Sequence, residues 1–318
     1  MVMKKVIKAP AKVNLYLSVN GKRNDGYHDL TMIMQPVSLF DTLYIKIIDN
    51  LNCNDLKSRI KINFNNKKIY FSTKEQINLA SNWSYIPTDD KNLVVKIVKY
   101  FFEKYSIKDK IFIYLNKLIP TCAGLGGGSS DAASILLFLN EYYKTNLSLN
   151  EMNEMACLFG SDISFFLYKK ECICEGRGEI ITILPSFNEY HILVVTPNIR
   201  VSTKHIFEKV DCTYYVDLTE EQKRQKFDNC VLAIKNKDIK LLSDNLFNDL
   251  EKVTCELYSD VKTIKKHIIE CGAINALMSG SGPTLFGIFD SRLKAQSAKN
   301  KIKSHFKYAF AYISMPIY

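Results

Sequence analysis

Several kinds of sequence feature are missing from this chain of 318 residues. No apolar run approaches the roughly 20 residues that a helix needs to cross a membrane. The nine cysteines include no paired C-x-x-C motifs, so no zinc site is predicted. Internal repeats, low-complexity linkers and dense basic runs are also missing. These absences argue against a membrane protein, a zinc-ribbon protein and a repeat protein.

The cysteines are odd in number and irregular in spacing, so we expect reduced thiols in a cytoplasmic protein. They stand at positions 53, 122, 157, 172, 174, 212, 230, 255 and 271. Residues 1–8 are followed directly by a strand pattern, with no apolar segment or cleavage site, so we expect no removable targeting segment. A hydrophobic fraction of 47% is enough to build proper cores.

The net charge is +10, with Lys and Arg in excess over Asp and Glu. One interpretation is a solvated, lysine-rich surface, and the other is attraction of polyanionic small molecules. The basic residues are scattered and lack interleaved aromatic residues, so we expect no binding to nucleic acid.

The segment from Pro120 to Ala133 contains the strongest signal. Residues 110–116 alternate with period two, as a strand does, and a helical pattern follows from Ser129 to Tyr143. Between them lie Gly124, Gly126, Gly127 and Gly128. Glycines allow close approach of the backbone to a ligand, and a helix start offers unpaired N–H groups. The segment predicts a phosphate-binding loop, and the alternative is a turn that only joins strand to helix.

Two better-known nucleotide loops do not fit this segment. A Walker A loop ends in Gly-Lys-Ser/Thr, and no lysine follows these glycines. The dinucleotide-binding fingerprint requires a glycine where Ser129 stands.

Three further candidates lie in the N-terminal half. Lys12 and Asn14 are two apart on a predicted strand and share a face, which suits binding of a substrate hydroxyl and phosphate, or simply a half-exposed polar face. Tyr27 and His28 follow a turn, where they could hold a base ring or merely belong to the turn. Asp162 follows a helix end, where a carboxylate could accept a hydroxyl proton or cap the next helix.

A second Gly/Ser loop, residues 278–283, connects two predicted strands and is either a site of close backbone approach or an ordinary connection. The wider pattern predicts an α+β protein with domains at 1–170 and 171–318. The strands are predicted at 6–20, two within 30–48 around Pro36, 110–116, 274–278, 284–289 and 307–314, with a hairpin at 171–184. The helices are predicted at 91–105, 129–143, 148–159, 219–236, 238–248, 257–271 and 291–304.

Taken together and in order, these segments resemble the GHMP-superfamily small-molecule kinases. Within them, the resemblance is to the branch that phosphorylates a cytidine diphosphate-linked methylerythritol in the non-mevalonate isoprenoid pathway. The matching motifs are Ala9 to Leu17, Asp25 to His28, Pro120 to Ala133, Gly160 to Asp162, Glu175 to Glu179 and Met278 to Pro283. The glycine loop has the long Gly-Leu-Gly-Gly-Gly-Ser-Ser form, whereas mevalonate and homoserine kinases have a shorter one.

The resemblance implies roles for matched residues. Asp162 corresponds to the catalytic carboxylate and Lys12 to the lysine beside the reacting hydroxyl. The implied substrate-binding residues are Asn14, Tyr27, His28, Thr203 and Phe207. The implied ATP-binding residues are Pro120, Ala123, Gly124, Leu125, Gly126, Gly127, Gly128, Ser129, Ser130, Asn92 and Lys117.

The resemblance also implies a two-domain fold, with a ribosomal-protein-like α+β N-terminal domain and a ferredoxin-like α/β-plait C-terminal domain. It implies ATP with Mg²⁺, a small-molecule substrate, no membrane partner, and a monomer or weak homodimer. The metal ligands are not predicted. Cys122 departs from the family pattern, since glycine is usual there, and residues 50–90 are longer and more polar than usual.

Two alternatives remain at this point. The first is a GHMP kinase for mevalonate or homoserine. The second is a non-catalytic ligand-binding or RNA-binding relative, because a shared fold does not fix a function.

Overall fold

The computed structural model describes residues 2–50, 59–64, 67–212 and 218–317. Its strands are β1 Val2–Lys22, β2 His28–Ile48, β3 Arg59–Phe64, β4 Lys67–Ser72, β5 Ile77–Ser81, β6 Lys110–Asn116, β7 Cys172–Gly176, β8 Ile180–Ile183, β9 His191–Thr196, β10 Phe247–Asn248, β11 Asn275–Met278, β12 Leu285–Phe289 and β13 Phe310–Ser314. Its helices are α1 Leu93–Lys104, α2 Gly127–Tyr143, α3 Leu149–Cys157, α4 Ser161–Tyr168, α5 Thr203–Cys212, α6 Glu220–Asn236, α7 Ile239–Asn245, α8 Asp249–Leu257, α9 Ser259–Glu270 and α10 Arg292–His305. The α+β prediction is confirmed.

The chain divides into two compact units that are interleaved in sequence. Unit one consists of Met1–Pro10, Phe40–Ile119 and Gly127–Leu167, and unit two of Ala11–Leu39, Pro120–Gly126 and Tyr168–Tyr318. The chain therefore passes between units five times, and the last passage lies close to the predicted boundary at residue 170. The interleaving arises because β1 and β2 each contribute a segment to both units.

In unit one, paired strands pack together with helices and with a β-hairpin. The pair β2 and β6 is antiparallel, and β5 adds to β6 in parallel. Helix α1 buries Val94, Ile97, Val98 and Phe101, the i, i+3, i+4, i+7 pattern of an amphipathic helix, and packs against α2. The antiparallel hairpin β3–β4 contributes Ile62 and Phe71 to a buried cluster with Ile48, Phe112 and Tyr114. The polar stretch 50–90 thus contains part of a core.

Unit two contains a four-stranded antiparallel sheet in the order β11-β12-β9-β13, against which α9 and α10 pack. The strands β9 and β12 are almost entirely buried, in agreement with their continuous apolar sequences. This arrangement fits the predicted α/β plait. In the same unit, β7 and β8 form the predicted hairpin, β7 pairs with β2, and the short strand β10 pairs in parallel with β1.

The structure corrects three details of the predicted elements. One continuous strand, β2, replaces the two expected around Pro36, whose carbonyl accepts a hydrogen bond from the Ile317 amide. Pro36 lies between the stretch of β2 that pairs with β7 and the stretch that pairs with β6, where its missing N–H interrupts neither ladder. Helices α4, α5 and α8 were not among the predicted helices, and the helix predicted at 238–248 ends at Asn245.

Candidate active site

The glycine loop is shaped by positive φ angles and by a very close backbone approach. Gly124 and Gly126 have φ of +74° and +68°. A Cβ atom added at Gly124 would lie 2.0 Å from the carbonyl oxygen of Ser279, so only glycine fits there. Cys122, at the departure from the family pattern, has a φ of +52° and therefore adopts a conformation that glycine adopts at lower cost.

The second Gly/Ser loop, at residues 278–283, braces the glycine loop from within unit two. The Ser279 hydroxyl donates a hydrogen bond to the Gly124 carbonyl at 2.8 Å and accepts one from the backbone N–H of Asn14 at 3.3 Å. The side-chain amide of Asn248, in turn, donates to the Gly280 carbonyl at 2.8 Å. The loop is therefore a site of close backbone approach and more than a strand connection.

Lys12 and Asn14 lie beside the glycine loop. The Lys12 amide donates a hydrogen bond to the Leu125 carbonyl at 3.0 Å, and the Lys12 ammonium donates to Asn14 Oδ1 at 2.5 Å. Lys12 is 4% exposed and Asn14 is fully buried, so the alternative of a half-exposed polar face is wrong. The buried Nδ2 of Asn14 has no hydrogen-bond partner among the described residues, which leaves a donor for a ligand.

Helix α2 begins at Gly127, two residues earlier than predicted, so its first turn contains Gly128, Ser129 and Ser130. The amides of a first helical turn have no partner within the helix and attract anions. Ser130 is fully buried, and its hydroxyl has no partner among the described residues. This turn therefore offers both backbone donors and one uncommitted hydroxyl.

Lys117 stands at the centre of a buried ionic cluster in unit one, which we call the Lys117 cluster: Lys117, Asp41 and Asp131. The Lys117 ammonium lies 2.8 Å from Asp131 Oδ2 and also contacts Asp41 Oδ2. Asp41 Oδ1 accepts hydrogen bonds from the amides of Leu118 and Ile119. The cluster links the end of β6 to the first turns of α2.

Burial governs the titration of the Lys117 cluster. It raises the pKa of Asp131 to about 8, although Lys117 acts in the opposite direction, and it also raises the pKa of Asp41. Burial alone would lower the pKa of Lys117, but the two carboxylates raise it above its ordinary value. One ammonium can balance only one of two buried carboxylates, so the second favours its protonated form.

Asn92 and Lys117, which the family resemblance implies bind ATP on its adenine side, have structural partners. Asn92 caps helix α1, because its Oδ1 accepts from the Val94 amide at 2.9 Å and its Nδ2 donates to the Pro87 carbonyl at 2.8 Å. Lys117 is held in its cluster. Contact of either side chain with adenine stays a prediction, and such a contact would compete with these bonds.

Asp162 is the second residue of helix α4 and is partly exposed. It therefore lies just inside the helix, where a carboxylate also interacts favourably with the helix dipole, rather than at the N-cap. Its catalytic role stays a prediction.

The family resemblance implies that four residues hold the cytidine of the substrate, and all four lie in unit two: Tyr27, His28, Thr203 and Phe207. The His28 ring stacks on Phe207 with centroids 4.7 Å apart. Tyr27 is 55% exposed, and the Arg177 guanidinium lies over its ring at 4.4 Å. The Thr203 hydroxyl is 2.7 Å from the Ser281 hydroxyl, which connects helix α5 to the second Gly/Ser loop. The arrangement presents flat aromatic surfaces together with polar groups, as a nucleobase requires.

The similarity to known proteins agrees with this geometry. The family models for the GHMP kinases N terminal domain and the GHMP kinases C terminal domain match residues 92–170 and 230–307. A 4-diphosphocytidyl-2-C-methyl-D-erythritol kinase of Clostridium botulinum (strain Alaska E43 / Type E3) is 37% identical over 311 residues, covering 98% of this chain and 99% of the relative. This chain belongs to the 4-diphosphocytidyl-2-C-methyl-D-erythritol kinase branch of the GHMP kinase family. It is an ATP-dependent small-molecule kinase.

Solved structures of GHMP kinases share this fold. A crystal structure of a 4-(cytidine 5'-diphospho)-2C-methyl-D-erythritol kinase aligns with a TM-score of 0.74 and 26% identity, over 99% of this chain and 100% of that one. A homoserine kinase from Cytophaga hutchinsonii aligns with a TM-score of 0.69 and 18% identity, over 99% of this chain and 95% of that one. At that identity the second likeness concerns the fold alone.

Two sets of charged residues in this GHMP kinase were not predicted from the sequence. The first is Asp211, which contacts His28. It could have been found from its spacing, because it lies four residues after Phe207, one turn along helix α5. Asp41 and Asp131 fix Lys117, but they are 76 and 14 residues away from it in sequence and carry no local signal.

Neither a preformed metal cage nor a membrane helix is found in the part of this GHMP kinase that the structure describes. No group of three or more His, Cys, Asp or Glu side chains there could hold a metal ion. None of the described helices has the length and apolar character needed to cross a membrane. Seven described cysteines are free thiols; Cys53 and the side chain of Cys212 lie outside the described residues.

Proposed function

We propose that this enzyme transfers the γ-phosphoryl group of ATP to the 2-hydroxyl of 4-diphosphocytidyl-2-C-methyl-D-erythritol, in the non-mevalonate pathway to isoprenoid precursors. In the transfer, the bond from the γ-phosphorus to the bridging oxygen breaks, a bond to the substrate oxygen forms, and ADP leaves. The hydroxyl proton passes to a base. Phosphoryl transfer needs mainly positioning and stabilisation of charge, so the residues that hold the two substrates decide the reaction.

One observation carries the proposal: a line of hydrogen bonds within unit two joins the base-binding region to the glycine loop. Thr203 contacts Ser281, the Ser279 hydroxyl of the same loop donates to Gly124, and the Lys12 amide donates to Leu125. The residues assigned to the cytidine and the residues assigned to the phosphates thus belong to one braced framework. A kinase for a nucleotide-linked alcohol needs such a framework, since it must hold its acceptor at the γ-phosphate.

We assign ATP to the glycine loop and to the start of α2, which are consecutive in the chain. The positive φ at Gly124 and Gly126 and the amides of the first helical turn suit a polyphosphate. The same turn fits Mg²⁺ that arrives with the nucleotide, because Mg²⁺ usually keeps substrate phosphates, waters and only one or two protein oxygens as ligands. The oxygen that we assign to Mg²⁺ is the Ser130 hydroxyl, which has no hydrogen-bond partner in the part of the chain that the structure describes. When bound, Mg²⁺ would neutralise phosphate charge.

We assign the chemistry to Lys12 and Asp162. The Lys12 ammonium would stabilise the developing alkoxide and the migrating phosphoryl charge, while Asn14 orients the hydroxyl through its uncommitted Nδ2. Asp162 would accept the hydroxyl proton, and its convergence with Lys12 stays a prediction. We further propose that the enzyme acts in the cytoplasm as a monomer or weak homodimer.

The substrate assignment is tested by measuring ADP release with ATP and one acceptor at a time. We expect turnover with 4-diphosphocytidyl-2-C-methyl-D-erythritol, and none above background with mevalonate or homoserine. Faster turnover of mevalonate or homoserine would overturn the proposed substrate and identify that alcohol as the acceptor. Failure to consume ATP with any acceptor, accompanied by salt-sensitive binding to RNA, would favour a non-catalytic relative.

The catalytic assignment is tested by Asp162→Ala. General-base help is worth roughly 10²- to 10⁴-fold, so we expect kcat to fall by that factor while thermal unfolding stays unchanged. Glu154→Ala, which removes an exposed carboxylate from helix α3 of the same unit, is the matched control and should leave kcat unchanged. Near-normal turnover of Asp162→Ala would remove that residue from the mechanism.

A further inference from the structure

A carboxylate that carries no assigned role lies against His28. Asp211 Oδ1 is 2.6 Å from His28 Nε2, and Asp211 Oδ2 is 2.6 Å from the Lys22 ammonium. We call Lys22, His28, Phe207 and Asp211 the His28 cluster. All four belong to unit two, and the His28 side chain is only 9% exposed.

Helix α5 places two of these side chains on one face. Phe207 and Asp211 are four residues apart, so they are neighbours along the helix surface. Phe207 stacks on the His28 ring, and Asp211 contacts one edge of that ring through Nε2. The helix thus fixes both the plane and the rotation of the imidazole.

The charge of Asp211 decides which nitrogen of His28 carries hydrogen. Hydrogen bonds from Lys22 and then from His28 lower the pKa of Asp211, so its carboxylate is ionised at neutral pH. An ionised carboxylate only accepts hydrogen bonds, so Nε2 must be the donor. In the neutral imidazole, Nδ1 is then an acceptor.

We propose that Asp211 is a specificity-determining positioning residue, which holds His28 with a hydrogen on Nε2 and a bare Nδ1, so that the site accepts a hydrogen bond from the exocyclic amine of cytosine and rejects uracil. The inference rests on the proposed function, because it takes the base of the acceptor to lie at His28. Cytosine carries an amine at the position where uracil carries a carbonyl oxygen. A bare nitrogen pairs with the amine and faces the lone pairs of the carbonyl.

The expected preference follows from the cost of an unmade hydrogen bond. A buried polar group left without its partner costs enough to lower binding by roughly 10- to 100-fold. We therefore expect the wild-type enzyme to favour the cytidine-linked acceptor over its uridine-linked analogue in kcat/KM by that factor. The difference should appear mainly in KM, because Asp211 acts on binding of the base and not on the transferred group.

The decisive variant is Asp211→Asn. Its amide oxygen should face Lys22, which needs an acceptor, and its amide nitrogen should then face Nε2. A donor opposite Nε2 moves the ring hydrogen to Nδ1, so the preference for cytidine should fall by roughly tenfold or more, with kcat at saturation nearly unchanged. Asp211→Glu restores a carboxylate and should recover part of the preference.

The controls separate this inference from the proposed function. Glu189→Gln removes an exposed carboxylate that pairs with Lys237 in the same unit, and it should leave the preference unchanged. If wild type turns over the cytidine-linked acceptor but Asp211→Asn keeps the full preference, the inference is overturned and the proposed function stands. If wild type turns over neither acceptor, the proposed function has failed first.

A spectroscopic measurement on the wild-type protein does not depend on the variants. Nitrogen-15 spectra of labelled histidine, recorded with CDP as the probe, report which ring nitrogen carries hydrogen. We expect a protonated Nε2 and a bare Nδ1 for His28, assigned by its loss in His28→Asn. The opposite tautomer, or an imidazolium with both nitrogens protonated, would overturn the inference.

Discussion

The Lys117 cluster and the His28 cluster of this kinase have opposite arrangements of charge and different exposure to solvent. In the Lys117 cluster, one ammonium lies between two carboxylates, and all three side chains are at most 3% exposed. In the His28 cluster, one carboxylate lies between an ammonium and an imidazole, and the Lys22 side chain is 57% exposed. The Lys117 cluster is sealed inside unit one, whereas the His28 cluster is partly exposed, from 9% for the His28 side chain to 57% for that of Lys22.

The difference separates charges that hold the fold from charges that remain available to a ligand. A buried cation that loses its partners cannot recover its hydration, so each member of the Lys117 cluster is needed by the others. The Lys22 and Asp211 side chains are partly hydrated and their ion pair is screened, so the charges of the His28 cluster contribute little to stability. The cluster can therefore be specialised for recognition without endangering the fold.

The largest effect is expected from Lys117→Met. The variant leaves Asp41 and Asp131 buried without a cation, and breaking a buried ion pair costs about 3–5 kcal/mol in the free energy of unfolding. Denaturant unfolding at neutral pH measures it. Adding Asp41→Asn and Asp131→Asn should recover much of the loss; if the single variant is as stable as wild type, the cluster does not hold the fold.

Glu171 is another buried acid, and it tests how much the Lys117 ammonium matters to the carboxylates of the Lys117 cluster. Glu171 is 1% exposed, and burial raises its pKa from 4.5 to about 8, although a hydrogen bond with the backbone of Phe187 acts in the opposite direction. Because the folded-state pKa is raised, the stabilising contribution of Glu171 is full below about pH 4.5 and is lost as the pH rises through 8.

Glu171→Gln removes this dependence. We expect the variant to gain stability over wild type as the pH rises from 5 to 8, by a few kcal/mol at most, since each pH unit corresponds to about 1.4 kcal/mol. Urea unfolding across that range measures it. The exposed Glu189→Gln should show no such trend, and a flat difference for Glu171→Gln would mean that the carboxyl titrates normally.

A smaller effect is expected when Asp211→Asn is measured by unfolding instead of by kinetics. Asp211 is partly solvated and its ion pair with Lys22 is screened, so the free energy of unfolding should change by less than about 1 kcal/mol. Loss of several kcal/mol, similar to that of Lys117→Met, would abolish the contrast between the clusters.

The smallest effect is expected at the exposed pair Lys99 and Asp90, whose atoms are 2.8 Å apart. Both side chains are at least half exposed, so Lys99→Met should leave the denaturation midpoint unchanged within error. A measurable loss there would mean that exposed ion pairs in this protein contribute more to the free energy of unfolding than solvation and screening allow.

The sequence predicted those elements that depend on residues close together in the chain. The helices predicted at 148–159 and 219–236 are present as α3 and α6. Each begins with a capping box, formed by Ser148 and Glu151 in α3 and by Thr219 and Gln222 in α6. The glycine loop was found from its composition, because four glycines in five positions are unusual between a strand and a helix. These features depend on residues close together in sequence.

Elements decided by distant pairing were missed. The helix predicted at 238–248 is interrupted because Phe247 and Asn248 pair in parallel with Tyr16 and Leu17 of β1. The burial of Lys117 depends on carboxylates at distant positions. The contact of Asp211 with His28 joins residues 183 apart. No periodicity within a short window reports such contacts.

The interleaved course of the chain limits what truncation of this enzyme can achieve. A peptide ending near residue 170 lacks the greater part of unit two yet still carries two of its segments. The complementary peptide lacks the strand that holds Lys12 and the loop that holds Gly124. The first piece contains all of unit one but only fragments of unit two, and the second piece contains no whole unit. Truncation is therefore a poor route to a minimal phosphate-binding protein, and point substitutions are the better tool for dividing its tasks.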